Sequence, residues 1–212
     1  MAFPDLKEKR NYLNQSNLNK ARIDKFVLVL TLPPALRNID KKYVAATPSG
    51  VVSERLELSV WGIVVPTIEV GKVDVPFGGQ VPKVTSFTRP AYEPVAVNFN
   101  IDSEFYNWYV IWQWLSLLND PSTSVFDKNN ISQIKNVDGT LKKPGRAEFI
   151  QAYTTNINVL ALNEYNQIVG DFVYTQAFPT ALQGIQFNYK DSNEIVSGFT
   201  FEFNQLFFNI NT

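Results

Sequence analysis

Hydrophobic and polar positions alternate with the two-residue period of β-strands over much of the chain. From Val95 to Ile101 the odd-numbered positions are apolar and the even-numbered ones small or polar, which predicts a strand with one buried face. The same period predicts a hairpin, with strands over about 155–161 and 167–174 joined at 163–166, and a final strand over 194–208. Further strands are predicted over 26–32, which is apolar on both faces, and over 56–65.

One segment departs from this period and predicts a helix over about 103–118. Asp102 and Ser103 are suitable N-caps, and Asn119-Asp120-Pro121 ends the segment. Its apolar residues leave no broad polar stripe. Since a lone helix on a β domain buries only one side against its own core, we expect another subunit to bury the second side; the alternative is a core helix with a few exposed rings.

These elements predict a mainly β (α+β) fold, a β-barrel or sandwich with one long packed α-helix at about 103–118 and long loops. Residues 1–22 are polar and without a sustained period, so we predict an N-terminal arm. Residues 23–212 form one domain with a loop insertion at about 119–148. Five prolines between 66 and 94 flank the turn Gly78-Gly79, which predicts an edge hairpin or protruding loop.

Composition narrows the possible functions. The 212 residues are 45% hydrophobic but only 18% charged, which suggests that some surface is covered in the working protein. A net charge of -1 gives no global attraction for nucleic acid. The absence of cysteine and histidine excludes thiolate catalysis, His-dependent triads and imidazole metal sites. No apolar run follows the N-terminal charges, so we expect no signal peptide and no membrane insertion.

Two function classes other than assembly remain open. A glycoside hydrolase would need two carboxylates across a cleft, and the candidates are Asp171, Asp191, Glu194 and Glu202. A carbohydrate-binding β module would need exposed stacking rings, and the candidates are Trp61, Tyr92, Trp108 and Trp112. Gly78-Gly79-Gln80 lacks the Lys-Ser/Thr of a phosphate loop. We therefore predict no catalytic residue, no cofactor and no metal, and expect a protein that is not an enzyme.

Three stretches of the sequence carry a family resemblance. The first is the strand-to-helix junction 95–104, which continues through Trp112-Gln113-Trp114-Leu115 to Asn119-Asp120-Pro121. The second is the C-terminal run from Val169-Gly170-Asp171-Phe172 to the alternating final strand, and the third is Asn19-Lys20-Ala21-Arg22 before Phe26-Val27-Leu28-Val29. These stretches resemble the strand-to-helix junction, the closing segment and the entry to the first strand in the tail-tube and tube-initiator proteins of contractile-tailed bacteriophages. Together they cover about half of the chain.

The resemblance implies a structural virion protein of the viral tail, assembled in the host cytoplasm. It implies hexameric rings that stack into a tube and conduct DNA without sequence-specific binding. Other tail, sheath or baseplate proteins are its implied partners besides itself. A tube initiator or baseplate hub remains the alternative within this family.

We predict three interface regions for such an assembly: the helix, the glycine hairpin and the loop insertion. Their predicted contact residues are Trp108, Trp112, Trp114, Leu118, Phe77, Gly78, Gly79, Phe126 and Ile131. Changing Trp112 or Trp114 to Asp is expected to block ring formation, seen by electron microscopy, because an unpaired charge would be buried at the interface.

Overall fold

The structure is a computed structural model that describes residues 21–36, 52–119, 121, 146–190 and 193–210. Nine strands are described: β1 (Phe26–Leu30), β2 (Val60–Ile63), β3 (Lys72–Asp74), β4 (Lys83–Thr85), β5 (Val95–Asn100), β6 (Thr155–Leu162), β7 (Ile168–Leu182), β8 (Val196–Glu202) and β9 (Gln205–Ile210). Three α-helices accompany them: α1 (Val52–Ser59), α2 (Tyr106–Leu118) and α3 (Arg146–Tyr153). A 3-10 turn spans Pro34–Leu36.

Seven of these strands form one antiparallel sheet in the order β1-β6-β7-β8-β5-β2, with β9 paired to β7. Strands β3 and β4 form a separate hairpin. Within the described part of the chain, β1 and β2 end the sheet without pairing to each other. The prediction of a mainly β fold is confirmed, and its sandwich form fits better than a barrel because the sheet does not close.

Strand β7 belongs to both halves of the sheet. Within 168–177 it pairs with β6, within 170–175 it also pairs with β9 on its other side, and within 178–182 it pairs with β8. The change falls at Gln176, which has a left-handed backbone with φ of 53°. The Asn156 side chain accepts a hydrogen bond from the Gln176 N–H at 3.3 Å, and the Asn204 amide donates to the Gln176 side chain. These contacts hold a conformation that β-strand residues rarely adopt.

Strand β7 continues through Pro179 to Leu182, beyond the predicted end of this strand at about 174. Pro179 is paired with Phe201 beside a register shift between Pro179 and Ala181. A bulge is one of the few places where a strand tolerates a residue without an N–H.

Both halves of the sheet and α2 share one hydrophobic core. Trp114 lies within it with no exposed surface, and its indole N–H donates to the Tyr153 carbonyl at 2.8 Å. The largest wholly buried neighbours come from the sheet, α1 and α2: Tyr174, Phe99, Phe199, Phe201, Leu28, Leu30, Leu56, Ile111 and Ile157. Each such side chain contributes about 1.5–3 kcal/mol by leaving water.

A buried amide ties the start of α2 to the sheet. Asn107 is fully buried and donates to the Asn100 carbonyl at 2.8 Å and to the Ser59 hydroxyl at 3.1 Å. Its own oxygen accepts from the Trp108 N–H at 2.8 Å. The predicted helix is confirmed, but it begins at Tyr106, whose N–H donates to the Asp102 carboxylate at 2.9 Å. Asp102 therefore acts as the cap from the preceding turn.

Two strand predictions are wrong in part, since only 60–63 of the predicted strand 56–65 is a strand. Residues 56–59 end helix α1, in which Leu56 is buried while Leu58 is exposed. Leu56 and Val60 lie four apart and fit a helical period as well as an alternating one. The predicted final strand 194–208 is two strands, β8 and β9, joined by a tight connection at 203–204. Helix α3 was not predicted, and only its first three residues, 146–148, lie in the predicted loop insertion.

Tyr174 supplies a test of core energetics. Its side chain is fully buried, and its hydroxyl has no hydrogen-bond partner among the described residues. Because such a hydroxyl costs about 1–3 kcal/mol, Tyr174→Phe is expected to raise the free energy of unfolding by about 1 kcal/mol at pH 7, measured by urea denaturation. A loss of stability would show that the hydroxyl is hydrogen bonded.

The same residue predicts a dependence on alkaline pH. Burial raises the pKa of Tyr174 from 10.0 to about 12. The native state therefore binds the Tyr174 proton more tightly than the unfolded state does. The stability that this difference in pKa provides is fully present below pH 10, and the free energy of unfolding falls as the pH rises from 10 to about 12. The wild type should lose up to about 2–3 kcal/mol more than Tyr174→Phe across that window. Tyr165→Phe, at an exposed turn, is the matched control and should follow the wild type.

Candidate assembly surfaces

The β3–β4 hairpin is a separate sheet that the described part of the chain leaves exposed. Its backbone ladder runs from Gly71, whose N–H donates to the Thr88 carbonyl at 2.8 Å, to Phe77, whose N–H donates to the Gln80 carbonyl at 2.8 Å. Every residue from 72 to 85 is exposed. An isolated two-stranded hairpin is marginally stable in water, so this one depends on further contacts.

The hairpin has one charged face and one apolar face. Register places Val73 opposite Val84, and Asp74 opposite Lys83. The apolar face includes Val75 as well, and Val73 and Val84 are 48% and 49% exposed. An amphipathic element whose apolar face meets only water is typical of an interaction surface.

The tip of the hairpin is the predicted glycine turn. Gly78 and Gly79 have φ of 57° and 81°, the backbone that a two-residue hairpin loop of this twist requires. A Cβ at either position would meet nothing within 4 Å. Phe77 stands beside them with 81% of its surface exposed. Of the other predicted loop contacts, Phe126 and Ile131 lie outside the described residues.

Helix α2 presents its predicted contact residues differently. Trp114 belongs entirely to the chain's own core, so it has no surface for a partner to bury and is not retained as a contact residue. Trp112 is 38% exposed and stacks on Tyr109 with ring centroids 5.9 Å apart. Trp108 and Leu118 are half-buried. The outward side of α2 is thus an aromatic surface centred on Tyr109 and Trp112.

The sheet has free edges on strands β2 and β9. Trp61 of β2 and Ile210 of β9 are both more than half exposed, and each strand has one paired neighbour among the described strands. The edge of β1 is different, because the Glu57 carboxylate of α1 accepts the Leu30 N–H at 2.5 Å. A side chain that occupies edge donors in this way discourages pairing with another strand.

The strands of the large sheet contain no lysine or arginine. Their sequences include two carboxylates, Asp171 of β7 and Glu202 of β8, and many amides and hydroxyls. Asp171 accepts from the Asn158 amide at 3.2 Å, and Glu202 is exposed. The solvent-facing side of the sheet is therefore neutral to acidic, and it offers no cation to a polyanion.

Of the residues proposed for other chemistry, Tyr92 and Glu202 line one open cleft, whereas Glu194 lines another. The Glu194 carboxylate accepts from the Asn100 amide at 2.7 Å, and Asp191 lies outside the described residues. Tyr92 packs on Phe203 at 5.0 Å, beside an open cleft of about 590 Å³ at the hairpin root. Within the described ranges, no acidic cluster has the makings of a metal site. No helix there has the length and apolarity to span a membrane.

Two solved structures have a similar fold. One is the cap of the anti-feeding prophage, the AFP tube terminating cap, with a TM-score of 0.52 and 11% identity over 93% of this chain and 96% of that one. The other is a chain of the sheath-tube complex of PVC, an extracellular contractile injection system, in its extended state. Its TM-score is 0.51, with 9% identity over 92% of this chain and 95% of that one. No protein-family model and no curated protein matches the sequence.

The exposed Trp112 and the buried Trp114 of α2 should respond differently to replacement by a charged residue. Trp114→Asp is expected to abolish cooperative unfolding, since loss of a core ring costs about 3–5 kcal/mol before the buried charge is counted. Trp112→Asp should remain folded and lose about 0.5–1.5 kcal/mol with its stack on Tyr109. Thermal unfolding followed by circular dichroism measures both, and equal stability of the two variants would contradict the placement of Trp114.

Proposed function

We propose that the chain is a structural subunit of a contractile tail or tail-like injection particle, where identical copies form a ring of the tube or of its end. The observation that carries this proposal is the uncovered apolar face of the β3–β4 hairpin. A second copy provides the cover that the hairpin lacks within the described part of its own chain. The fold shared with a tube terminating cap and with a sheath-tube complex supports the same assignment.

The free edges suit a closed ring. Strands β2 and β9 differ in sequence, so an edge of one copy meets a different edge of the next. Such heterologous contacts generate a ring when the rotation between copies closes. Six copies per ring is the number that the resemblance to tail-tube proteins implies, and stacked rings would extend the assembly into a tube.

A duct for DNA is the role that the charge distribution of the sheet favours. Strands free of lysine and arginine do not bind phosphates, so a polyanion passing along them meets no electrostatic trap. In this proposal the solvent-facing side of the sheet, with Asp171 and Glu202, lines the channel. The function is mechanical and involves no catalysis, and the subunit resides in the assembled particle with other tail, sheath or baseplate proteins.

Whether the subunit repeats along the tube or closes one end is decided by how far rings stack. A repeating subunit forms tubes at high concentration. An initiator or terminator forms single rings, because one of its two ring faces is made for a different partner.

Two adjacent substitutions on β4 test the role of the hairpin. Val84→Asp puts a charge on the apolar face, whereas Thr85→Asp puts the same charge on the face of Lys72. Burying an unpaired charge costs about 3–5 kcal/mol, so Val84→Asp should abolish rings in negative-stain electron microscopy. Thr85→Asp should assemble like the wild type, and both should keep the circular dichroism spectrum of the wild type.

Two outcomes would overturn the proposal. If the two variants assemble equally, the apolar face of the hairpin is not an interface. If the wild-type chain stays monomeric at every concentration and in the presence of the other tail proteins, the chain is not a ring-forming subunit.

A further inference from the structure

The root of the β3–β4 hairpin carries a bulge that leaves Phe87 out of the backbone ladder. The Gly71 carbonyl accepts the Ser86 N–H at 2.8 Å, whereas the Gly71 N–H donates to the Thr88 carbonyl at 2.8 Å. Phe87 lies between these two contacts. A Cβ at position 71 would stand 2.8 Å from the Thr88 hydroxyl oxygen, so the bulge packs closely on the glycine. Bulges of this kind change the direction of a side chain.

The bulge holds the Phe87 ring in solvent on an unfavourable backbone. Phe87 has φ of 57° and is 90% exposed, and its N–H donates to the Thr85 hydroxyl at 3.2 Å. A bulky residue rarely adopts this left-handed conformation. Phe105 and Gln176 also have positive φ, but Phe105 is half-buried and Gln176 is held by side chains of other strands and turns. Backbone strain that exposes an apolar ring points to a role in binding.

The open cleft near the same root has the size and the lining to receive an aromatic ring. It is formed by residues 89–93 on one side and 202–207 on the other, and we call it the root cleft. Its volume of about 590 Å³ is within the range of ligand-binding clefts. Its apolar part includes Tyr92 and Phe203, whose ring centroids lie 5.0 Å apart, and Leu206. Aromatic rings prefer such tilted or offset partners.

The Phe87 ring stays outside the root cleft of its own chain. Phe87 is not among the residues that line this cleft, although Arg89 is. The residues on either side of Phe87 are both fixed to Gly71 by backbone hydrogen bonds. Turning the ring into the cleft of its own chain would break these contacts. A second copy, in contrast, can bring its root cleft to the ring without any change of the bulge.

The charges beside the ring and on the rim of the root cleft are complementary. Lys72 directly follows Gly71 at the bulge. The rim of the root cleft carries the carboxylates of Glu93 and Glu202 and one cation, Arg89. Within the described part of the chain, neither Lys72 nor either of these carboxylates forms an ion pair. A second copy of this chain therefore brings a cation of the hairpin root to a rim of net negative charge.

We propose that Phe87 anchors the contact between copies by inserting its ring into the root cleft of the next copy, against Tyr92 and Phe203. Lys72 then approaches the carboxylates of the rim. This inference rests on the proposed function and adds to it the anchor residue and the surface that receives it. The ring and the cleft are different surfaces of the chain, so the contact is heterologous, as a ring of copies requires. The bulge fixes the ring before binding, which lowers the entropy lost on association.

Phe87→Asn removes the ring and keeps the bulge, because Asn tolerates a left-handed backbone. Its thermal unfolding midpoint should equal or exceed that of the wild type. The concentration at which half of the chains are in rings should rise at least about 30-fold, as for the loss of an interface hot spot. Phe87→Tyr keeps a ring and should assemble like the wild type. Phe187→Asn is the matched control and should also assemble, since Phe187 is 74% exposed on a different loop.

Photo-crosslinking identifies the surface that receives the ring. The full-length chain with p-benzoylphenylalanine in place of Phe87 keeps an aromatic side chain at this position. It is mixed with nitrogen-15-labelled wild type at a concentration where the wild type forms rings, and is then irradiated. Mass spectrometry should find cross-links from position 87 to residues 89–93 or 202–207 of the labelled copy. The same probe in place of Phe187 is the control and should not mark these two segments.

The outcomes separate this inference from the proposed function. Rings that form equally well with Phe87→Asn would overturn the inference and leave the proposed function intact. Cross-links only within the probe-bearing chain, or only to segments outside the root cleft, would do the same. A wild type that forms no rings, alone or with the other tail proteins, would overturn the proposed function and this inference with it.

Discussion

The division of β7 between two sets of neighbours is the constraint on which the rest of the structure depends. One strand of 15 residues pairs first with β6 and β9 and then with β8. The change occurs at Gln176, whose left-handed backbone is held by side chains of Asn156 and Asn204. Because both halves of the sheet share this strand, they also share one core, and α2 packs against it through Trp114.

This arrangement leaves an apolar surface that the described core does not cover. The β3–β4 hairpin forms a sheet of its own, and Val73 and Val84 on its apolar face are 48% and 49% exposed. The cover of this face is proposed to be another copy of the chain.

Charge is distributed in a way that fits cover of the hairpin by another copy. The strands of the large sheet lack basic residues, whereas Lys72, Asp74 and Lys83 occupy one face of the hairpin. A charged face remains in water when the opposite, apolar face is buried by a partner. The edges of the sheet differ in the same selective way. The Glu57 carboxylate accepts the Leu30 N–H on the edge of β1, whereas β2 and β9 each have one unpaired edge among the described strands. Assembly through particular edges and faces requires some that can bind another copy and others that cannot.

Elements whose side chains repeat with one unambiguous period could be predicted from the sequence. Strand β5, the β6–β7 hairpin, helix α2 and the Gly78-Gly79 turn all follow from local patterns of alternation, capping or backbone freedom. The remaining features depend on tertiary packing. It placed Leu56 on a helix, split the last predicted strand at 203–204, carried β7 through Pro179 and buried Trp114 rather than its exposed neighbour Trp112. An apolar side chain has the same hydrophobicity on either side of a helix, and only the packing of distant segments determines which side faces the core.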